Sequence, residues 1–459
     1  MATEIKNQNL LLTEINFNKI LFFFFLIFQA LVLIICFQYD LIYSLPIISI
    51  FLILLFFILG QNRLKILLIF TILLASILPR PTSRKLFFLR LEEIPFILLL
   101  FLTILAFERK ERYHLKTKSD YLLLSFLLLT FFSLFYGILL GNPIFRAFDD
   151  FLILFYYAFY FLVLIYFQEE KWQKILVITI IVVSVLVSLE YVLPFLLTFQ
   201  IKRYATDQQH LFNLGYPLLF SYILLGKKTK YKILAFLSLI LMTLAVIISL
   251  TRALWFSIPF SLFIIFFIYL WKEKKKPMTK IFFILSVIFL YFLIFNFLFK
   301  KEGFQKFLAV RGISQRATRI SRDLSLIERL LSAQYILKKF KQNPILGIGF
   351  GDVHPTVIPW KKKLEFSWMD CLFLNLLWKM GVTGLIIFLL IYCFFFKNIF
   401  KVIKLPKDNF QYWFSIGVLS SFVSLLLISI TSGVLLIYRF NFVWASLLAL
   451  FNLWSQQTS

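Results

Sequence analysis

The sequence predicts an all-α polytopic membrane protein of about 12–14 transmembrane helices, with one large, partly helical extracytoplasmic loop. Three observations predict it. Apolar residues make up 61% of the 459-residue chain, and the mean hydropathy is +0.91. Soluble domains are about 45–50% apolar, so a single soluble core would leave much of this surface in water. The apolar residues, 61 Phe among them, fall in long runs, and about 20 residues suffice to cross a bilayer. The charged residues gather in short clusters between the runs and in one long polar segment, 299–370.

The runs lie at 20–38, 41–59, 64–79, 92–107, 120–140, 147–167, 175–198, 213–226, 231–249, 253–271, 281–298, 371–396, 411–430 and 433–454. The runs at 64–79 and 213–226 are short, and tilt, re-entry or burial within the bundle would accommodate them. The first run lacks a small-residue cleavage site and is expected to stay as an anchor. The domains expected are a bundle over 1–298, the loop domain over 299–370, and C-terminal spans over 371–459. Cys36, Cys371 and Cys393 show no metal-ligand spacing, and they read as small apolar residues in or beside spans. No cofactor and no metal is expected.

A formal charge of +26 would suit nucleic acid, but its distribution excludes that partner. With a cytoplasmic N-terminus, the inside segments carry 24 Lys and Arg, and the short outside loops carry 8. Cationic residues concentrate on the cytoplasmic side of membrane proteins. Both termini are then cytoplasmic, in a bacterial inner membrane, and 299–370 is periplasmic. The 14 Lys and Arg of that segment do not oppose this, because long loops translocate largely regardless of charge.

Within the loop, Ser325 and Glu328 have the spacing of a capping box. Ile327, Leu330, Leu331, Leu337 and Phe340 then form one apolar stripe. Lys338, Lys339 and Lys341 suit the negative end of the helix dipole, and Asn343-Pro344 stops the helix. The turn beyond it, NPILGIGFGDV, holds Gly347, Gly349 and Gly351. No Gly-Lys-Ser/Thr and no strand–turn–helix unit accompanies it, so it is neither a P-loop nor a dinucleotide fingerprint. Taken alone it is a structural turn.

The order of segments carries more than any one of them. An Arg-bearing helix (Arg329), then NPILGIGFG, then DCLFLNLLWKMGVTGL opening a span resembles the O-antigen ligase and polymerase superfamily. SLTRALW (249–255) is similar to that family's arginine patch, and KRY (202–204) to its preceding outer-loop arginine. The resemblance covers about residues 200–390. It implies glycosyl transfer: a glycan on a polyprenyl diphosphate passes to an acceptor hydroxyl of lipid A core or of a growing glycan. It implies roles for Arg203, Arg252 and Arg329 on the diphosphate. The expected substrate-binding set also takes in Arg311 and His354 of the loop, and His354 is a second candidate for the base. Arginine suits a leaving diphosphate, because its planar fork binds phosphate oxygens in pairs.

Asp370 stands where ligases of the family have His, and it would orient or deprotonate the acceptor. This departure favours polymerase over ligase. Each assignment has a plainer alternative: interfacial snorkelling for Arg252, pairing with Glu328 or Asp323 for Arg329, an N-cap for Asp370, a bystander for His354, an ordinary loop charge for Arg203. Asp149 and Asp150 read as helix caps, Asp207 and His210 as a solvated loop, and Lys379 as a cation that reaches an interior partner. A flippase for lipid-linked glycan would share the composition. The absence of related halves and the gathering of candidate charges at one face favour an enzyme. A non-catalytic envelope assembly protein is the third reading.

Overall fold

The computed structural model describes residues 63–77, 115–198, 207–249, 251–272, 324–355, 365–366, 368–369, 371–406, 410–430 and 433–457. The chain divides into two compact units, Met1–Ile66 and Leu67–Ser459. The second unit is an all-α membrane bundle. Seven described helices are long and apolar enough to cross a membrane. The spans expected at 20–38, 41–59, 92–107 and 281–298 lie outside the described residues.

In chain order the helices are α1 (Arg63–Ile77), α2 (Lys118–Leu139), α3 (Ile144–Phe155), α4 (Phe159–Tyr166), α5 (Glu170–Thr198), α6 (Phe212–Leu225), α7 (Thr229–Ile248), α8 (Arg252–Lys272), α9 (Leu324–Gln342), α10 (Leu372–Ile403), α11 (Phe410–Ile428) and α12 (Tyr438–Gln457). A 3-10 turn, Tyr156–Ala158, joins α3 to α4, and another, Asp207–Leu211, leads into α6. A short antiparallel pair, β1 (His354–Pro355) and β2 (Glu365–Phe366), is the one departure from all-helical structure among the described residues.

Helix packing forms two sets. In one, α6 packs on α11, α8, α7 and α5. This explains the short run at 213–226. It is a 14-residue helix surrounded by neighbours, buried from Phe212 through Ser221, and a helix apolar all round belongs in an interior. In the other set, α10 packs on α2 and α12, α12 on α4, and α2 on α3. The α10–α11 contact joins the two sets, and α9 lies against α10.

Contacts between helix termini define two ends of the bundle. At one end the Thr117 capping box opens α2, with Asp120 accepting from the backbone N–H groups of Lys116 and Thr117 at 3.0 and 2.9 Å. The other carboxylate oxygen of Asp120 accepts from the Tyr160 hydroxyl (2.6 Å) and from Asn452 Nδ2 (2.9 Å). Trp454 Nε1 donates to Gln173 Oε1 nearby (2.7 Å). The lysine-rich segments that start α2 and α7 and end α10 lie at this end. The Gly-rich turn lies at the opposite end.

Candidate functional site

The site is built around the turn after α9. As the sequence predicts, α9 is a helix that stops at Gln342, before Asn343-Pro344. It opens two residues earlier than a Ser325 N-cap would give, so Ser325 lies inside its first turn. Asp323, a residue type favoured at N-caps, precedes it and lies outside the described residues.

The turn is seated by backbone hydrogen bonds onto two helices distant in sequence. Ile348 N donates to Trp378 O (2.9 Å), Gly349 N to Lys379 O (3.1 Å) and Phe350 N to Ser133 O (3.1 Å). Asn142 Nδ2 donates to the carbonyls of Ile348 (3.3 Å) and Phe350 (2.9 Å). Val382 N donates to Pro344 O (2.9 Å), and Thr383 Oγ1 donates to Ile345 O (2.8 Å).

This seat requires a break in α10. Gly381 has φ 65° and ψ −165°, a conformation that residues bearing a Cβ rarely adopt. A Cβ there would lie 2.2 Å from the Ile345 carbonyl oxygen. Gly137 of α2 permits an equally close approach, since a Cβ on it would lie 2.2 Å from Phe350 O.

Beneath the turn is a buried ion pair. Lys379 Nζ is 2.9 Å from Asp150 Oδ2, with the two side chains 0% and 1% exposed. The same ammonium donates to the Asp352 carbonyl (2.5 Å) and lies 4.1 Å from the centre of the Trp378 ring. Gly351 N donates to Asp150 Oδ2 (2.9 Å), and Trp378 Nε1 donates to Asp352 Oδ2 (2.9 Å). Lys339 of α9 stands 3.7 Å from the other oxygen of Asp352. The Trp368 indole lies near the Asp150 carboxylate without closing a hydrogen bond to it.

Lys379 thus reaches the interior partner its position implied, but Asp150 is not the helix cap expected. The N-cap of α3 is Pro143. Asp150 sits two turns in, where its carboxylate faces Lys379 and the Gly351 N–H rather than the free N–H groups of a helix start. Sequence reasoning missed this pair. The partners are 229 residues apart, and the only signal was that each charge falls within an apolar run.

The other expected site residues are spread over several elements. Arg329 lies on α9, half-buried. Arg252 is the first residue of α8. Thr251, beside it, donates to Gln209 Oε1 (2.5 Å) in the Asp207–Leu211 turn. That turn is not solvated as expected. Gln208 is 1% and His210 7% exposed, because the turn is wedged against α5 and α6. His354 is 4% exposed, with its ring 5.7 Å from that of Trp378 and 6.3 Å from that of Tyr335. Arg203, Arg311 and Asp370 lie outside the described residues.

The flanks of Asp370 are described. Met369 N donates to Asn375 Oδ1 (2.8 Å), and Asn375 Nδ2 donates back to Met369 O (2.6 Å). The N-cap of α10 is Cys371, one residue past Asp370. Met369 packs, with Tyr335 and Leu374, on a buried cluster of Ile336, Ile348 and Trp378. One cluster therefore joins the Arg329 helix, the Gly-rich turn and the residue before Asp370. On the far side Leu372 N donates to Ser429 O, just past the end of α11 (3.0 Å). Helix α11 also packs on α8, which begins at Arg252.

Residues 237–389 match the family described as O-antigen ligase. The matched stretch is about a third of the chain. That stretch takes in Arg252, Arg311, Arg329, the Gly-rich turn, His354, Asp370 and Lys379, and its match supports the resemblance to the O-antigen ligase and polymerase superfamily. Asp150 and Arg203 precede it. No curated protein matches the chain. The match supports a ligase- or polymerase-type role in surface polysaccharide assembly for this multi-pass membrane protein.

Proposed function

We propose that the protein transfers a glycan from a polyprenyl diphosphate to an acceptor hydroxyl, and that the acceptor is a growing glycan, so that it works as a polymerase rather than adding chains to lipid A core. Arg252 and Arg329 hold the diphosphate, with Arg203 and Arg311 assisting. As the acceptor oxygen bonds to the anomeric carbon, the bond from that carbon to the diphosphate breaks. Its electron pair leaves on the diphosphate, where guanidinium groups stabilise the charge better in a dry site than in water. The hydroxyl proton passes to Asp370. This chemistry needs no metal, because the guanidinium groups supply the positive charge at the leaving group. The site faces the periplasm of a bacterial inner membrane, with both termini cytoplasmic.

The observation that carries this reading is the Ile336–Ile348–Trp378 cluster with Met369 upon it. It ties a helix bearing an anion-binding side chain to the segment bearing a carboxylate, although α9 and α10 are separated by a long turn. Sidedness adds support. The lysine-rich helix termini lie at the end of the bundle opposite the turn, where the positive-inside rule expects the cytoplasm.

The test is a gene deletion complemented with wild type, Arg252→Ala or Asp370→Asn, with surface glycolipids resolved on a gel. A single repeat left on the core in the deletion and in both variants is the expected result. Bare core with long lipid-linked chains would replace polymerase by ligase. An unchanged ladder would overturn the reading.

A further inference from the structure

We propose that Asp150 and Lys379 are positioning residues for the transfer reaction, holding the Arg329 helix and the Asp370 segment in register without touching substrate. This rests on the roles given above to Arg329 and Asp370.

Two helices can be joined by apolar packing alone, and burying an ion pair between them is costly unless every remaining valence is met. Here the valences of Lys379 and of one Asp150 oxygen are spent on each other and on the loop. Asp150 takes the Gly351 N–H, Lys379 gives a hydrogen bond to the Asp352 carbonyl, and Trp378 holds the Asp352 carboxylate. Apolar packing would resist separation yet let the turn slide. These bonds have direction and fix the residues at which the chain leaves its seat. Charges alternate from Asp150 through Lys379 and Asp352 to Lys339, which is on the helix of Arg329.

A second branch runs the other way. Trp368, two residues before Asp370, brings its indole near the Asp150 carboxylate. The remaining Asp150 oxygen and the Trp368 N–H are both buried without a hydrogen-bond partner. They are an acceptor and a donor, so a small movement of Trp368 would join them. Asp150 is thus the point at which the two halves of the site meet, and its pairing with Lys379 holds that point in place. Misplacing reacting groups by about 1 Å can cost about 100-fold in rate.

The test uses membranes from the deletion strain carrying each variant, matched for protein amount. The probe is the lipid-linked glycan extracted from that strain. The central variant is Asp150→Asn with Lys379→Met, which is uncharged and keeps an acceptor for Gly351 N–H. It is expected to accumulate normally, with KM for the donor within about threefold of wild type and kcat lower by about 100-fold. Trp368→Phe is expected to lower kcat by about fivefold, again at constant KM.

A double variant with wild-type kcat, or one that loses only KM, would overturn the proposal. If the double variant fails to accumulate, Lys379→Arg and Asp150→Glu keep the pair while lengthening it. Reduced kcat at constant KM in these supports positioning, and unchanged kcat overturns it. Asp370→Asn runs alongside: a wild-type rate there would show that the underlying site assignment has failed, and the proposal with it.

Discussion

Gly137 shows how tightly single residues constrain the seat. Alanine in a helix interior is normally favoured over glycine by about 1 kcal/mol, but here its Cβ would strike the backbone of Phe350 at 2.2 Å. The obstacle is main chain, which cannot rotate aside, so the clash wins. Gly137→Ala is expected to destabilise by about 1–3 kcal/mol and to lower the melting temperature of the detergent-solubilised protein. Asp120 offers a contrasting case. Its carboxylate accepts from Lys116 N, Thr117 N, Tyr160 and Asn452. Asp120→Ala removes several charge-assisted bonds, each worth about 1.5–3 kcal/mol, and the expected loss of accumulated protein is larger than for Gly137→Ala. At this scale the sequence was partly legible. The glycines of the turn and the lone Lys379 stood out because they break an apolar pattern. Asp150 was misread, since a carboxylate near the start of a run looks the same as a cap until its partner is known.

At the level of elements, α9 is held chiefly by Ile336, which is fully buried against Ile348 and Trp378. Ile336→Ala should cost about 2–5 kcal/mol of that docking. The exposed Lys338 and Lys341 would then be cut faster when spheroplasts are treated with trypsin, and unchanged cleavage would show that the docking rests elsewhere. The course of α9, its stop at Asn343-Pro344 and the beginnings and ends of most described spans were legible, because apolar runs and Pro punctuation act locally. The break in α10 was only half legible. Gly381 was visible as a residue, but the reason for a positive φ is the Ile345 carbonyl packed against it, and no local pattern records a contact across that distance.

For the molecule as a whole, the membrane class was legible because composition is a sum over the chain and needs no contact information. What composition could not give was the grouping of helices into two sets joined through α10 and α11. Composition also does not separate a span facing lipid from one enclosed by protein, as α6 shows. The two ends of the bundle make a topological prediction. A cysteine placed at Lys404, in a background lacking the native cysteines, should react with a membrane-impermeant thiol reagent only after the cytoplasmic face is opened. One at Asn142 should react in intact spheroplasts. The reverse pattern would invert the bundle and remove the periplasmic site.

The distance in sequence between Asp150 and Lys379 is also a delay. Chains are made at about 5–20 residues per second, so the 229 residues between these partners put Lys379 roughly 10–45 s behind Asp150. Throughout that interval a carboxylate destined for the protein interior has no cation, and the turn that will cover it has not been made. A carboxylate within a span is costly to the bilayer, so the early helices must shelter Asp150 in another way: against one another, in water, or in the insertion machinery. The arrival of α10, ahead of only α11 and α12, brings the missing charge and lets the turn close over it. A ribosome stalled before residue 379 would leave a bundle with no seat for the turn and an acid with no partner.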